Sequence, residues 1–78
     1  MRSFTISIRS LKQVQAFVDL AVVQPFEVLV CSEGHQINAK NFMGMFALDF
    51  HRPLQVQVDC DEASFCRFRQ KTIELLAS

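Results

Sequence analysis

Few side chains in this sequence can carry chemistry, and they are scattered. The cysteines Cys31, Cys60 and Cys66 are odd in number and form no Cys-x-x-Cys pair. Neither a disulfide framework nor a metal site with His35 and His51 is expected, and reduced thiols in a cytosol fit better. Gly34 and Gly44 are the only glycines, so there is no glycine-rich phosphate loop, and no serine-histidine-acid order has a supporting motif. No cofactor is expected. What remains is Arg9-Ser10-Leu11-Lys12, directly ahead of an amphipathic segment. An anion on Ser10 would sit at a helix N-terminus beside two cations. The plainer reading is a serine that only caps the helix, between solvated charges. His35 falls at the tip of a turn and His51 in a loop near Asp49 and Arg52; both read as ordinary surface histidines.

The elements that must position these residues follow from periodicity. Phe4, Ile6 and Ile8 alternate with Thr5 and Ser7, a half-buried strand. Leu11, Val14, Phe17, Val18 and Ala21 recur every three or four residues, an amphipathic helix. Ser10 and Gln13 have the spacing of a capping box, in which each side chain satisfies the other's backbone amide. Gln24-Pro25 closes the helix, because the residue before proline avoids helical angles. Phe26, Val28 and Val30 alternate with Glu27, Leu29 and Cys31 in a second strand, apolar on both faces and so expected inside the sheet. Ser32-Glu33-Gly34-His35 reads as a hairpin turn and Gln36-Ile37-Asn38 as a short edge strand. Asn41 caps a short helix over Phe42 to Leu48. After the loop Asp49-Phe50-His51-Arg52-Pro53, Leu54, Val56 and Val58 mark the last strand. Asp61 and Glu62 place negative charge at the start of a final helix. That helix carries Phe65, Phe68 or Arg69, Thr72, Ile73 and Leu76 along one face.

The order is β-α-β-β-α-β-α, an α+β domain spanning residues 1–78. Its hairpins imply an antiparallel sheet with helices on one face; periodicity alone also allows a ferredoxin-like split arrangement with an extra helix. Half the residues are apolar, eight of them phenylalanine, so a core is expected without covalent staples. Eight basic and eight acidic side chains cancel, which argues against a nucleic-acid footprint and gives no reason to expect a membrane surface as partner. Arg2 precedes an alternating segment, not an apolar leader, and no apolar run approaches a bilayer span.

Ile37-Asn38-Ala39-Lys40-Asn41, followed by Phe42-Met43-Gly44-Met45-Phe46-Ala47-Leu48, resembles the middle of the HPr family, the phosphocarriers of the bacterial sugar phosphotransferase system. That family often reads valine-asparagine-alanine-lysine-serine there, then an apolar turn of helix with a Met-Gly pair. Ala16-Phe17-Val18 and Asp61-Glu62 are similar to the family's first helix and the acidic opening of its third. The resemblance covers nearly the whole chain. It implies a two-layer, open-faced sandwich, with strands in the order 1-4-2-3 under three helices. It also implies a cytoplasmic protein with protein partners, either phosphotransferase-system enzymes or a regulator.

The chain departs from the family where chemistry should occur. HPr proteins carry a Gly-Leu-His-Ala-Arg-Pro type segment between the first strand and first helix, and the histidine takes the phosphoryl group. With Phe17-Val18 as anchor, Ser10 falls at that histidine, Lys12 at the phosphate-binding arginine and Gln13 at the proline. Asn41 holds the position of the regulatory serine found in many members. The resemblance therefore implies a module without the relay. Phe42, Met43 and Phe46 are the implied docking residues, while Met45, Leu48 and one phenylalanine fill the core. Two other readings compete: a carrier whose acceptor has moved to His35 or His51, and a homo-oligomer that buries the apolar patch against its own copy.

Overall fold

The alternating segments pair into a single sheet. The computed structural model describes residues 2–49 and 51–77. Its strands are β1 (Arg2–Ile6), β2 (Val28–Ser32), β3 (His35–Asn38) and β4 (Leu54–Val58), all antiparallel in the order β1-β4-β2-β3. This is the expected order, and it disposes of the ferredoxin-like alternative. Three helices, α1 (Leu11–Val22), α2 (Phe42–Ala47) and α3 (Glu62–Leu76), complete the α+β fold. Among the described residues no helix is long and apolar enough to cross a membrane. Phe50, in the expected loop into β4, lies outside the described residues.

Register sorts the side chains. Ile6, Val28, Val30, Ser32, Leu54, Val56 and Val58 are buried under the helices. Ser3, Thr5, Gln36, Asn38, Gln55 and Gln57 lie on the other face with Leu29 and Cys31. β1 ends at Ile6 rather than Ile8. Ile6 pairs with Leu54, so Ser7 would have to pair with Pro53, which has no N–H to offer. Ile8 is buried all the same, pinning the connection to α1. β2 starts at Val28 instead of Phe26, whose ring leaves the strand line to meet Phe68 edge-on at 5.7 Å.

His35 is not at the hairpin tip. Glu33 and Gly34 alone form the loop, both with positive φ (49° and 83°), as a two-residue type I′ connection requires. His35 is the first residue of β3, paired with Ser32. The Arg52 guanidinium bridges Glu33 and, at 3.5 Å, Asp49, which ties this turn to the loop entering β4.

Phe68 of α3, 1% exposed, is the hub of the core. Its ring lies 5.7–6.1 Å from those of Phe4, Phe17 and Phe26, and Phe4 also meets Phe65 at 5.7 Å. Such tilted and edge-on pairs each stabilise by about 0.5–1.5 kcal/mol beyond area burial. Two expected core residues lie outside it. Leu11 (56% exposed) is in the first turn of α1, and Ile73 (47%) borders a notch beside Thr5 and Ser7 at the end of β1. The buried stripe of α3 instead runs through Phe65, Phe68, Thr72 and Leu76.

Candidate functional site

The β1–α1 connection is short, and its conformation is set by three neighbouring residues. Ser10 is extended (φ −153°, ψ 161°) and caps α1. Its Oγ accepts the Gln13 N–H at 3.3 Å, and its carbonyl accepts the N–H groups of Gln13 and Val14 at 3.1 and 3.2 Å. The return bond of the expected capping box shifts by one residue: Gln13 Oε1 accepts the N–H of Arg9 at 2.7 Å. Gln13 Nε2 also reaches the Leu76 carbonyl at 3.5 Å, linking the start of α1 to the end of α3. Sequence reasoning treated Gln13 as half of a local cap and missed this second link, because its partner is remote in the chain.

Arg9, Ser10 and Lys12 are all exposed, and neither cation forms an ion pair among the described residues. Ser10 and Lys12 line an open groove with Gln13, Ala16 and Leu75. Among the described residues that line it there is no histidine and no carboxylate.

The antiparallel topology gathers the β1–α1 connection, the β2–β3 turn and the loop into β4 at one end of the sheet. His35 nevertheless opens the opposite edge strand, three strand spacings or roughly 14 Å from the line of β1. It borders a separate groove with Glu33, Ile37, Leu48 and Asp49. His51 is exposed, and its backbone N–H donates to Asp49 Oδ1 at 3.1 Å. Among the described residues no group of three His, Cys, Asp or Glu is placed to hold a metal. All three cysteines are free thiols. Burial, and then the Asp61 carboxylate, pushes the Cys60 thiol above its ordinary value.

α2 presents its apolar residues in two directions. Asn41 caps it, with Oδ1 accepting the Gly44 N–H at 3.1 Å. Met45 and Leu48 are buried. Phe46 is half-buried against the core, and its ring meets Phe42 at 4.4 Å. Phe42 and Met43 are 38% and 76% exposed, so the helix leaves a small apolar step on the surface. Gly44 allows this helix to lie on β3: a Cβ there would meet Ile37 Cγ2 at 2.9 Å.

A four-stranded antiparallel sheet in the order β1-β4-β2-β3, with three helices on one side, is the fold of the HPr phosphocarriers. HPr-C-His from Thermoanaerobacter tengcongensis matches with a TM-score of 0.81 at 20% identity, over 100% of this chain and 93% of that one. Phosphocarrier protein HPr from Bacillus anthracis str. Ames matches at 0.75 and 13% identity, over 96% and 95%. No family model matches the sequence, and no curated protein does. At these identities the likeness establishes the fold.

Proposed function

We propose that this chain is a divergent relative of HPr that acts as a noncatalytic regulatory or interaction module of the phosphotransferase system in the cytoplasm. One observation supports the reading: the Oγ of Ser10, the residue that the resemblance aligns with the family's phosphohistidine, accepts the N–H of Gln13 as a helix cap. The family's pattern has proline at the Gln13 position. A proline has no N–H and so cannot make this bond to the side chain three residues earlier. Here that side chain serves the fold. A serine phosphate ester is also too stable to be handed onward readily, whereas a phosphoimidazole is not. A phosphate on Ser10, held by Arg9 and Lys12 at the start of α1, would be a switch rather than a relay. Asn41, which caps α2, removes the hydroxyl that many HPr proteins use for regulation.

The partner-facing surface on this reading is Phe42 and Met43, backed by Phe46. Methionine and aromatic side chains suit adaptable protein contacts. Met43→Ala and Phe42→Ala should weaken a partner complex without lowering stability much, since both residues are exposed; unchanged binding would sink the docking assignment.

The deciding experiment is intact-mass spectrometry after incubation with phosphoenolpyruvate and enzyme I of the phosphotransferase system, with an authentic HPr in the same tube. No phosphoryl gain on this chain, beside a labelled HPr, is the expected result. An acid-labile phosphoryl group, lost on changing His35 or His51, would replace the proposal with a carrier whose acceptor has moved. Light scattering over a concentration series tests the homo-oligomer reading, which a monomer at high concentration excludes.

A further inference from the structure

At the opposite end of the sheet from Ser10, α3 turns one face toward the segment joining α1 to β2. Ser64, Arg67 and Lys71 follow one another at helical spacing. With Phe68 they line a cleft of about 110 Å³ closed on the other side by Gln24 and Phe26. Two like charges one turn apart on a helix repel, and among the described residues neither forms an ion pair; the Asp61 carboxylate gives Arg67 only a weaker attraction, behind its own hydrogen bonds to Ser64. Asp61 Oδ1 is occupied by the Ser64 N–H at 3.0 Å. Glu74, one turn beyond Lys71, accepts instead from Gln70 Nε2 at 3.2 Å. Glu27, beside Phe26, makes no ion pair, and among the described residues the ion pairs are those of Arg52. A third cation adds to the local potential: Lys40 Nζ donates to the Gln24 carbonyl at 2.8 Å. The guanidinium is held in place, since Arg67 Nη2 donates to Ser64 Oγ at 3.3 Å.

We propose that this cleft binds a compact oxyanion, the phosphate group of a small phosphomonoester or free phosphate. Arg67 and Lys71 supply two positive charges for a dianion, and the guanidinium fork suits its oxygens. The volume is that of about four waters, enough for one tetrahedral group. Phe26, half-buried at the rim, offers an apolar wall to whatever the phosphate is attached to. The site is independent of the reading of Ser10, from which it is separated by the length of α1, about 18 Å for its 12 residues.

The test is a titration of the full chain with inorganic phosphate, followed by amide chemical shifts at ionic strength held constant with sodium chloride. Saturating shifts at Gln24, Phe26, Ser64, Arg67 and Lys71 are expected. The double variant Arg67→Gln/Lys71→Gln, whose changes are both on exposed residues, should stay folded and bind about tenfold more weakly or worse. Phenyl phosphate separates the two sources: tighter binding than inorganic phosphate assigns an ester lying on Phe26, and equal binding assigns the phosphate group alone. Shifts that grow linearly without saturating, or an undiminished response in the double variant, would overturn the proposal. So would shifts confined to Arg9, Ser10 and Lys12, which would place the anion at α1 instead.

Discussion

Replacing Gln13 tests whether the β1–α1 junction is held as the structure describes. The Arg9 N–H to Gln13 Oε1 bond, at 2.7 Å, is short, whereas the cap from Gln13 N–H to Ser10 Oγ, at 3.3 Å, is beyond the usual 2.9–3.0 Å range. A net hydrogen bond contributes about 1 kcal/mol. The longer contact from Gln13 Nε2 to the Leu76 carbonyl adds a few tenths, and the better helix propensity of alanine returns about as much. Gln13→Ala should therefore cost about 1 kcal/mol. Ser10→Ala should cost about 0.5 kcal/mol, the low end for loss of an N-cap, because that bond is long. Gln13→Glu keeps the acceptor and adds favourable charge at the helix start, so it should stay within about 0.5 kcal/mol of the parent. Equilibrium unfolding in urea resolves these values: with a slope near 1 kcal/mol/M for so small a domain, Gln13→Ala lowers the midpoint by about 1 M. A smaller shift for Gln13→Ala than for Ser10→Ala would show that the Gln13 side chain is not what holds the junction; the cap from the Gln13 backbone N–H to Ser10 Oγ, which alanine keeps, is tested by Ser10→Ala, and no loss there would refute it.

Other perturbations follow from the same geometry. Phe68→Ala removes a ring that meets three others and should cost about 3–5 kcal/mol. That is a large part of the roughly 4–12 kcal/mol available to a domain of this size, and chemical denaturation should find the variant at the edge of unfolding. Gly44→Ala drives a Cβ against Ile37 and the Asn41 cap. Overpacking of about 1–3 kcal/mol then outweighs the helix-propensity gain of about 1 kcal/mol, and the thermal midpoint falls; a rise would mean that α2 does not lie on β3 as described. The Asp61 carboxyl sits below its ordinary value because it accepts hydrogen bonds from the Ser64 side chain and backbone, with Arg67 adding a smaller push. A depressed carboxylate contributes stability above its unfolded pKa, near 3.9, and loses it as pH falls through the folded value. Asp61→Asn keeps a capping oxygen and should flatten that acid limb; an unchanged profile would assign the acid sensitivity to other groups.

The fold was legible because its determinants are local and repeated. Alternation at Phe4 and Ile6, and again at Leu54, Val56 and Val58, marks strands that hold under the final register. Ser10, Asn41 and Asp61 each cap the helix they precede. Legibility stopped wherever a partner distant in sequence decides. Pro53 ends β1 two residues early, Phe68 draws Phe26 out of β2, and Gln13 finds Leu76. The turn Ser32–His35 stands where the sequence puts it, but the placing of His35 at its tip fails for another reason: Glu33 is a poor residue for positive φ, so its part in a two-residue loop is hard to see from residue type. The Arg67–Lys71 cleft was invisible for the same reason as the Gln13 link. Its two cations are evident in sequence, but the wall facing them comes from the α1–β2 segment.

Apart from Phe68, which also lines the α3 cleft, the buried residues that hold the sheet to its helices are not proposed site residues. Phe17, Phe68, Val30 and Val56 are buried, while Arg9, Ser10, Lys12, Phe42 and Met43 are exposed. The fold therefore does not require a histidine at the start of α1. A serine there is the better helix cap, and a residue with an N–H at position 13 completes it. Residues set for chemistry commonly cost stability that a scaffold relieved of the chemistry can regain. On that reasoning, Ser10 and Gln13 belong together: each makes structural sense because of the other, and together they place structure where a carrier would need a free imidazole. The reverse exchange is then demanding. Ser10→His alone would leave the Gln13 N–H in place to bind and orient the new side chain, so a working acceptor should need Gln13→Pro as well. On the proposed reading, phosphorylation by enzyme I is expected in the double variant but not in the single one, which would show that the N–H at position 13 matters as well as the residue at position 10.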